Sequence, residues 1–137
     1  MQKIVIYHAN CPDGFTAAWV FHQKHGDAET QYVAIGHNNQ DDLYKLDIED
    51  KDVFFVDFCP NLEAAHHFIS KSQSVMILDH HKSAVAVVEQ LDDSMYIMDM
   101  ERSGAGIAWD YCFPDKPRAP IVDYVQDRDL WKWEIGS

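Results

Sequence analysis

Short apolar runs recur along this chain, and three of them stop abruptly at acidic or imidazole side chains. Lys3 to Tyr7 (KIVIY) runs into His8, Asp52 to Val56 (DVFFV) runs into Asp57, and Val75 to Leu78 runs into Asp79, His80 and His81. Runs of this length predict buried strands. Gln31 to Ile35 (QYVAI) predicts another, followed by a polar loop, Gly36 to Asp42, and Tyr96 to Met98 predicts a short last strand. Helical spacing lies between them. Phe15 to Lys24 sets Phe15, Ala18, Trp19 and His22 on one predicted face, with Gly26 as the stop. Leu43 to Glu49 predicts a brief helical turn. Leu62 to Ser70, introduced by Pro60 and Asn61, presents Ala64, Ala65 and Phe68. Ala84 to Val88 fits a strand, a helical turn or an extended crossover. Ser103 is placed to cap a helix through Gly106, Trp109 and Cys112, and a last helical segment, Ile121 to Val125, follows Pro114, Pro117 and Pro120. This alternation predicts an α/β protein, a three-layer α/β/α domain with a mostly parallel sheet. In such sheets ligands bind where the strands emerge.

Composition narrows the class. The 137 residues, 47% apolar and 25% charged, fit one ordinary globular domain, 1–137, with no internal repeat. A formal charge of −12 argues against a nonspecific cationic grip on nucleic acid. Much of that charge reads as an acidic solvated surface. Cys11, Cys59 and Cys112, odd in number and widely spaced, point to a reducing compartment, so a cytoplasmic location is expected. The start of the chain supports no signal peptide, and no apolar run is long enough for a membrane span.

The candidate chemistry gathers at the strand ends: His8, Asp13, Asp57, Asp79, His80 and His81, with Asp123, Asp127 and Asp129 near the end of the chain. Each alone reads as a cap, a turn former or a surface charge. Their joint position reads as a metal site, with Asp13, Asp57 and His80 converging from different strand ends. Imidazole with carboxylate suits Mn²⁺, Co²⁺, Zn²⁺ or Fe²⁺ better than an all-oxygen calcium cage. A carboxylate between two such ions builds a centre that activates water and stabilises phosphoryl oxygens.

The words VMILDHH, HANCPDG, VFFVD, ERSGAGIAW and YVQDRDLW, in this chain's arrangement, resemble the DHH phosphoesterase superfamily. That superfamily includes single-strand exonucleases, oligoribonucleases, cyclic-dinucleotide phosphodiesterases and manganese-dependent pyrophosphatases. The likeness spans nearly the whole chain, as the amino-terminal catalytic domain. It implies a DHH phosphoesterase-like fold, and the usual carboxy-terminal substrate-binding domain is expected to be absent from these 137 residues. It implies His8, Asp13, Asp57, His80 and Asp127 as metal ligands, with Asp123 and Asp129 as alternatives to Asp127. Asp79 is expected to orient the His80 imidazole, and His81 to meet a phosphoryl oxygen. The implied cofactor is a divalent metal, Mn²⁺ foremost, with Co²⁺, Mg²⁺, Zn²⁺ or Fe²⁺ as alternatives. Cys11 departs from the family pattern, where many members carry another aspartate. It reads either as a small buried residue or as a thiolate ligand.

Other residues complete the expectation. Arg102 and Arg128 are candidates to neutralise substrate charge, or surface ion pairs. Ser103, Gly104 and Gly106 read as a phosphate-facing helix start or as close packing. His37 is a candidate substrate-loop group. Trp19 and Trp109 read as core, and Trp131 and Trp133 as stacking or partner-facing groups. His80, outside the apolar core, is expected to be dispensable to the fold. The expected function is hydrolysis of phosphodiester or phosphoanhydride bonds in a nucleotide or short oligonucleotide. The alternative is a noncatalytic metal- or nucleotide-binding module that requires a partner. Expected partners are a phosphate-containing small molecule or short single-stranded nucleic acid, with no membrane, and a second copy or a substrate-binding domain.

Overall fold

Period-two alternation in the strands sets the architecture. In β1 (Lys3–His8), Ile4 and Ile6 point to one face and Val5 to the other; in β3 (Asp52–Val56), Val53 and Phe55 oppose Val56; in β4 (Ser74–Asp79), Val75 and Ile77 oppose Leu78. Both faces are apolar, so both must be covered. The structure, a computed structural model, describes residues 2–134, and the side chains of residues 37 and 130–134 fall outside that description. The readings made for His37, Trp131 and Trp133 therefore lie outside the described residues.

The five strands are all parallel, in the order β2-β1-β3-β4-β5, with β2 at Thr30–Ile35 and β5 at Tyr96–Met98. One face is covered by α1 (Pro12–His25), α4 (Gly104–Cys112) and α5 (Pro120–Glu134), through Ala17, Val20, Phe21, Ala105, Ala108, Val122 and Val125. The other is covered by α2 (Leu62–Lys71), through Ala64, Ala65 and Phe68, and by α3 (Val85–Val88) with Leu91. This is the three-layer α/β/α arrangement expected. The chain leaves β1 for β2 on one side and returns to β3 on the other, so the sheet reverses direction between β1 and β3. Open sheets of this kind form a ligand crevice at that point.

Several local readings change, and the open one at Ala84 to Val88 is decided. The first helix begins at Pro12, whose fixed φ and missing N–H suit a first turn. Its core face is Ala17, Val20 and Phe21, whereas Phe15 is 65% exposed and Trp19 only partly buried. Two apolar stripes interleave in this segment: Ala17, Val20 and Phe21 meet the sheet and α4, and of the other stripe Ala18 is buried as well. The polar loop after β2 is a 3₁₀ segment, His37–Lys45, kinked at Asn39, with Leu43 buried. Ala84 to Val88 is helical, a 3₁₀ turn (Lys82–Ala84) running into α3. The final helix extends well past Val125. Ser103 caps α4 as read, accepting from the N–H of Gly106 at 2.9 Å, and Asn61 caps α2, accepting from the N–H of Ala64 at 2.8 Å.

Candidate metal centre

Three strand ends deliver the site. β1 ends at His8, and a left-handed Asn10 (φ 57°) turns the chain so that Cys11 stands at the N-cap position of α1 and Asp13 lies in its first turn. β4 ends at Asp79 and hands on His80 and His81. After β3, Asp57 adopts φ 53°, a left-handed conformation costing about 1 kcal/mol or more, while its N–H still bonds Leu78 O at 2.9 Å. That turn drives its carboxylate fully inside. Two glycines make the room. A Cβ on Gly104 would lie 2.6 Å from Asp57 Cβ, and one on Gly14 would lie 3.2 Å from Asp57 Oδ2 and would collide with the His8 carbonyl. A Cβ on Gly106 would collide with Gln126 Oε1. The Gly104 and Gly106 pair thus serves close packing against Asp57 and α5.

The two oxygens of Asp57 face different neighbours. Oδ1 lies 2.8 Å from His80 Nε2 and 3.9 Å from His81 Nε2. Oδ2 lies 3.7 Å from His8 Nδ1 and 3.5 Å from Cys11 Sγ. His80 Nε2 also meets Asp13 Oδ2 at 3.1 Å, and its Nδ1 lies 3.7 Å from Asp129 Oδ2. Asp13 is held by the start of α4, its oxygens accepting from the N–H groups of Gly104 and Ala105, each at 2.8 Å. Three groups of potential ligand atoms result, each within 4.8 Å: Asp57, Asp79, His80 and His81; His8, Cys11 and Asp57; Asp13, His80 and Asp129. Imidazole, thiol and carboxylate donors clustered around one shared carboxylate fit divalent transition-metal ions.

The electrostatics couple these groups to one another. Burial works against a charge on His80, but hydrogen bonds to Asp13 and Asp57 and the two carboxylate charges outweigh it and push the imidazole up to about 10. Burial likewise opposes the charge on Asp57, and its contacts with His8 and His80 hold it well below the usual carboxylate range. The imidazolium thus stands among the carboxylates as their counter-charge. Its folded-state value is raised, so its contribution to stability is complete below the ordinary histidine value of 6.5 and lost as pH rises through about 10. In chelator, the Tm should fall steadily between those pH values; a flat Tm across that window would contradict a charged His80.

Other expected residues take different places. Asp79 orients His81 rather than the His80 ring: its Oδ1 bonds His81 Nδ1 at 2.7 Å and accepts from the His80 backbone N–H at 2.8 Å. The hydrogen bond to Asp79 raises the pKa of His81 against the effect of burial. Asp79 Oδ2 is buried without a hydrogen-bond partner among the described residues, beside a cavity of about 210 Å³ lined by Gln40, Cys59, Asn61 and Ser83. Asp127 is exposed and in none of the three groups, whereas Asp129 is. Asp123 is exposed, 3.8 Å from Arg118. The helical period explains the difference, since Asp129 follows buried Val122 and Val125 at seven and four residues and shares their face. Arg102 bonds Asp99 at 2.7 Å and Asp110 at 2.9 Å, which engages its guanidinium in fastening α4 to the preceding turn. Arg128 lines a cavity of about 380 Å³ with Cys11, Asp13, Tyr124 and Asp129, beside the cluster. Sequence reading missed Gln126, which accepts from the Ser103 N–H at 3.2 Å, and the clamp of α4 on Asp13. No periodicity signals either contact.

Comparison with known proteins adds a fold and little chemistry. No protein-family model matches the chain. It is 32% identical over 143 residues to an uncharacterized protein of Acanthamoeba polyphaga mimivirus, an alignment that takes in 96% of this chain and 34% of that protein. The crystal structure of an uncharacterized protein from Helicobacter pylori G27 superposes with a TM-score of 0.72 at 19% identity, over 96% of this chain and 44% of that one. This second likeness concerns the fold alone. The chain spans about a third of the length of the first relative and less than half of the second. No helix among the described residues is long and apolar enough to cross a membrane.

Proposed function

We propose that this chain is a metal-dependent phosphohydrolase of the DHH phosphoesterase kind, acting on a phosphodiester or phosphoanhydride bond in a nucleotide or short oligonucleotide, with Mn²⁺ as one working ion. The observation that carries the reading is Asp57: buried, backbone-strained, and offering one oxygen to His8 and Cys11 and the other to His80 and His81. Glu29 and Asp50 adopt the same left-handed backbone on the surface, so what sets Asp57 apart is its full burial and the donors on both sides of its carboxylate, the arrangement a ligand shared between two ions requires. His8, Cys11 and Asp57 would hold one ion and Asp13, Asp57, His80 and Asp129 the other. Two divalent cations, when bound, supply a water of lowered pKa and neutralise charge on the phosphoryl oxygens.

The protein supplies the rest. Asp79 accepts from His81 Nδ1–H and favours the protonated ring, whose Nε2–H, on the Asp57 side of the site, is then a donor to a phosphoryl oxygen. Burial of the cluster strengthens each of these interactions relative to water. The cavity between α1 and α5 gives the remainder of a substrate a place beside the centre, with Arg128 at its rim as a counter-charge. Further substrate contacts would come from an adjoining domain or a second copy, in a cytoplasmic setting.

The test is phosphate release from nucleotides, short oligonucleotides, cyclic dinucleotides and pyrophosphate, with Mn²⁺, Co²⁺, Mg²⁺ or Zn²⁺ added to metal-free protein. Turnover should appear with a transition metal and vanish in chelator. Stoichiometric metal binding without turnover on any class would replace the enzyme reading with a noncatalytic metal-binding module.

A further inference from the structure

Resting on that metal-centre reading, we propose that the two halves of the site differ in kind: His8, Cys11 and Asp57 form a thiolate-bearing half that selects Zn²⁺, Co²⁺ or Fe²⁺, and Asp13, His80 and Asp129 form a half that accepts Mn²⁺. The division follows from which atoms meet. Cys11 Sγ lies within 4.8 Å of the ligand atoms of both His8 and Asp57, on the Oδ2 side, while the second trio gathers around His80. Sulfur therefore enters one half only. Thiolate favours the softer or later first-row ions, whereas carboxylate-rich sets suit Mn²⁺ and Mg²⁺.

The local backbone places the sulfur for this role. Cys11 stands at the N-cap position of α1 without a side-chain capping bond, and its sulfur is turned to Asp57 Oδ2 instead, at 3.5 Å. A divalent charge beside a thiol favours its ionised form. As the sulfur–cation bond forms, the S–H bond breaks and one proton leaves to solvent. The other cysteines lack this setting. Cys59 contacts the Pro60 carbonyl, Cys112 sits in the apolar layer, and burial pushes both thiols up to about 12.

Anaerobic titration of the metal-free full chain with Co²⁺ reads the sulfur directly. A sulfur-to-cobalt charge-transfer band in the near ultraviolet should grow with one equivalent and be lost in Cys11→Ser, while Cys59→Ser and Cys112→Ser retain it. The Ser variant should still bind cobalt in the other half, and its far-ultraviolet circular dichroism should match wild type. Cys11→Asp, which supplies an oxygen donor instead, should shift the preference between Zn²⁺ and Mn²⁺ towards Mn²⁺ by at least about tenfold. Cobalt binding without that band, or a band that survives Cys11→Ser, would overturn the thiolate half and leave the metal centre standing. Failure to bind Co²⁺ or Mn²⁺ at all would overturn both.

Discussion

Asp57→Asn should give a folded protein whose affinity for Mn²⁺ and Co²⁺ falls by more than about 100-fold, the upper end of what losing even a supporting partner of a ligand costs. Asparagine is the informative choice because it tolerates the left-handed backbone that Asp57 adopts at φ 53°. It also keeps the side-chain volume in a space with no slack beneath Gly104. What it removes is the charge, and one of two acceptor oxygens. Whichever way the amide turns, its NH₂ faces either His80 and His81 or His8 and Cys11, so one half of the site loses its shared ligand outright. Calorimetric titration of metal-free wild type and variant measures the loss, with circular dichroism to establish the fold. Unchanged stoichiometry and affinity would remove Asp57 as the shared carboxylate.

Much of this was legible in the sequence because strand ends are legible. The apolar runs before His8, Asp57 and Asp79 stop where the sheet stops, and parallel strands of similar length deliver their ends to one edge. Local period could have found more: Val122, Val125 and Asp129 share a helical face, which points away from Asp127. The strain at Asp57 and the amides of Gly104 and Ala105 on Asp13 were out of reach, since the latter join positions more than ninety residues apart. The partners of Asp79 were misread for a similar reason. Adjacent residues in a motif point in different directions, and only the path of the chain after β4 decides which imidazole the carboxylate meets. The α1 face was misjudged because the segment carries two apolar stripes, each with a large aromatic, and only tertiary packing decides that Phe21 rather than Phe15 is buried.

Replacing His80 should have two separable effects, one of which reverses the expectation that this residue is dispensable to the fold. With its metal ligand and counter-charge gone, hydrolysis by His80→Ala should fall by about 1000-fold, comparable with removing a principal charge-stabilising group from an active site. In chelator the same variant should also be destabilised by about 3–5 kcal/mol, because Asp13 and Asp57 are left as buried carboxylates without the cation between them. Added Mn²⁺ should restore part of that stability, since a divalent ion that binds only the folded chain supplies the missing charge in the same place. His80→Gln guards against a variant too unstable to assay, as it keeps a polar group and some bulk while removing the charge. Rates are compared at matched metal content, and Tm with and without Mn²⁺. Wild-type turnover in a metal-loaded variant would reject His80 as a ligand, and unchanged Tm in chelator would reject it as the counter-charge. A loss of apo stability that is present but well below the expected range would mean that Asp13 and Asp57 share a proton when His80 is gone. The burial that raises the pKa of Asp13 and the adjacent charge of Asp57 that raises it further make that the natural fallback. In that case the variant should gain stability as pH falls towards the carboxylate range, the same sign as the wild-type dependence above neutrality but in a lower pH window.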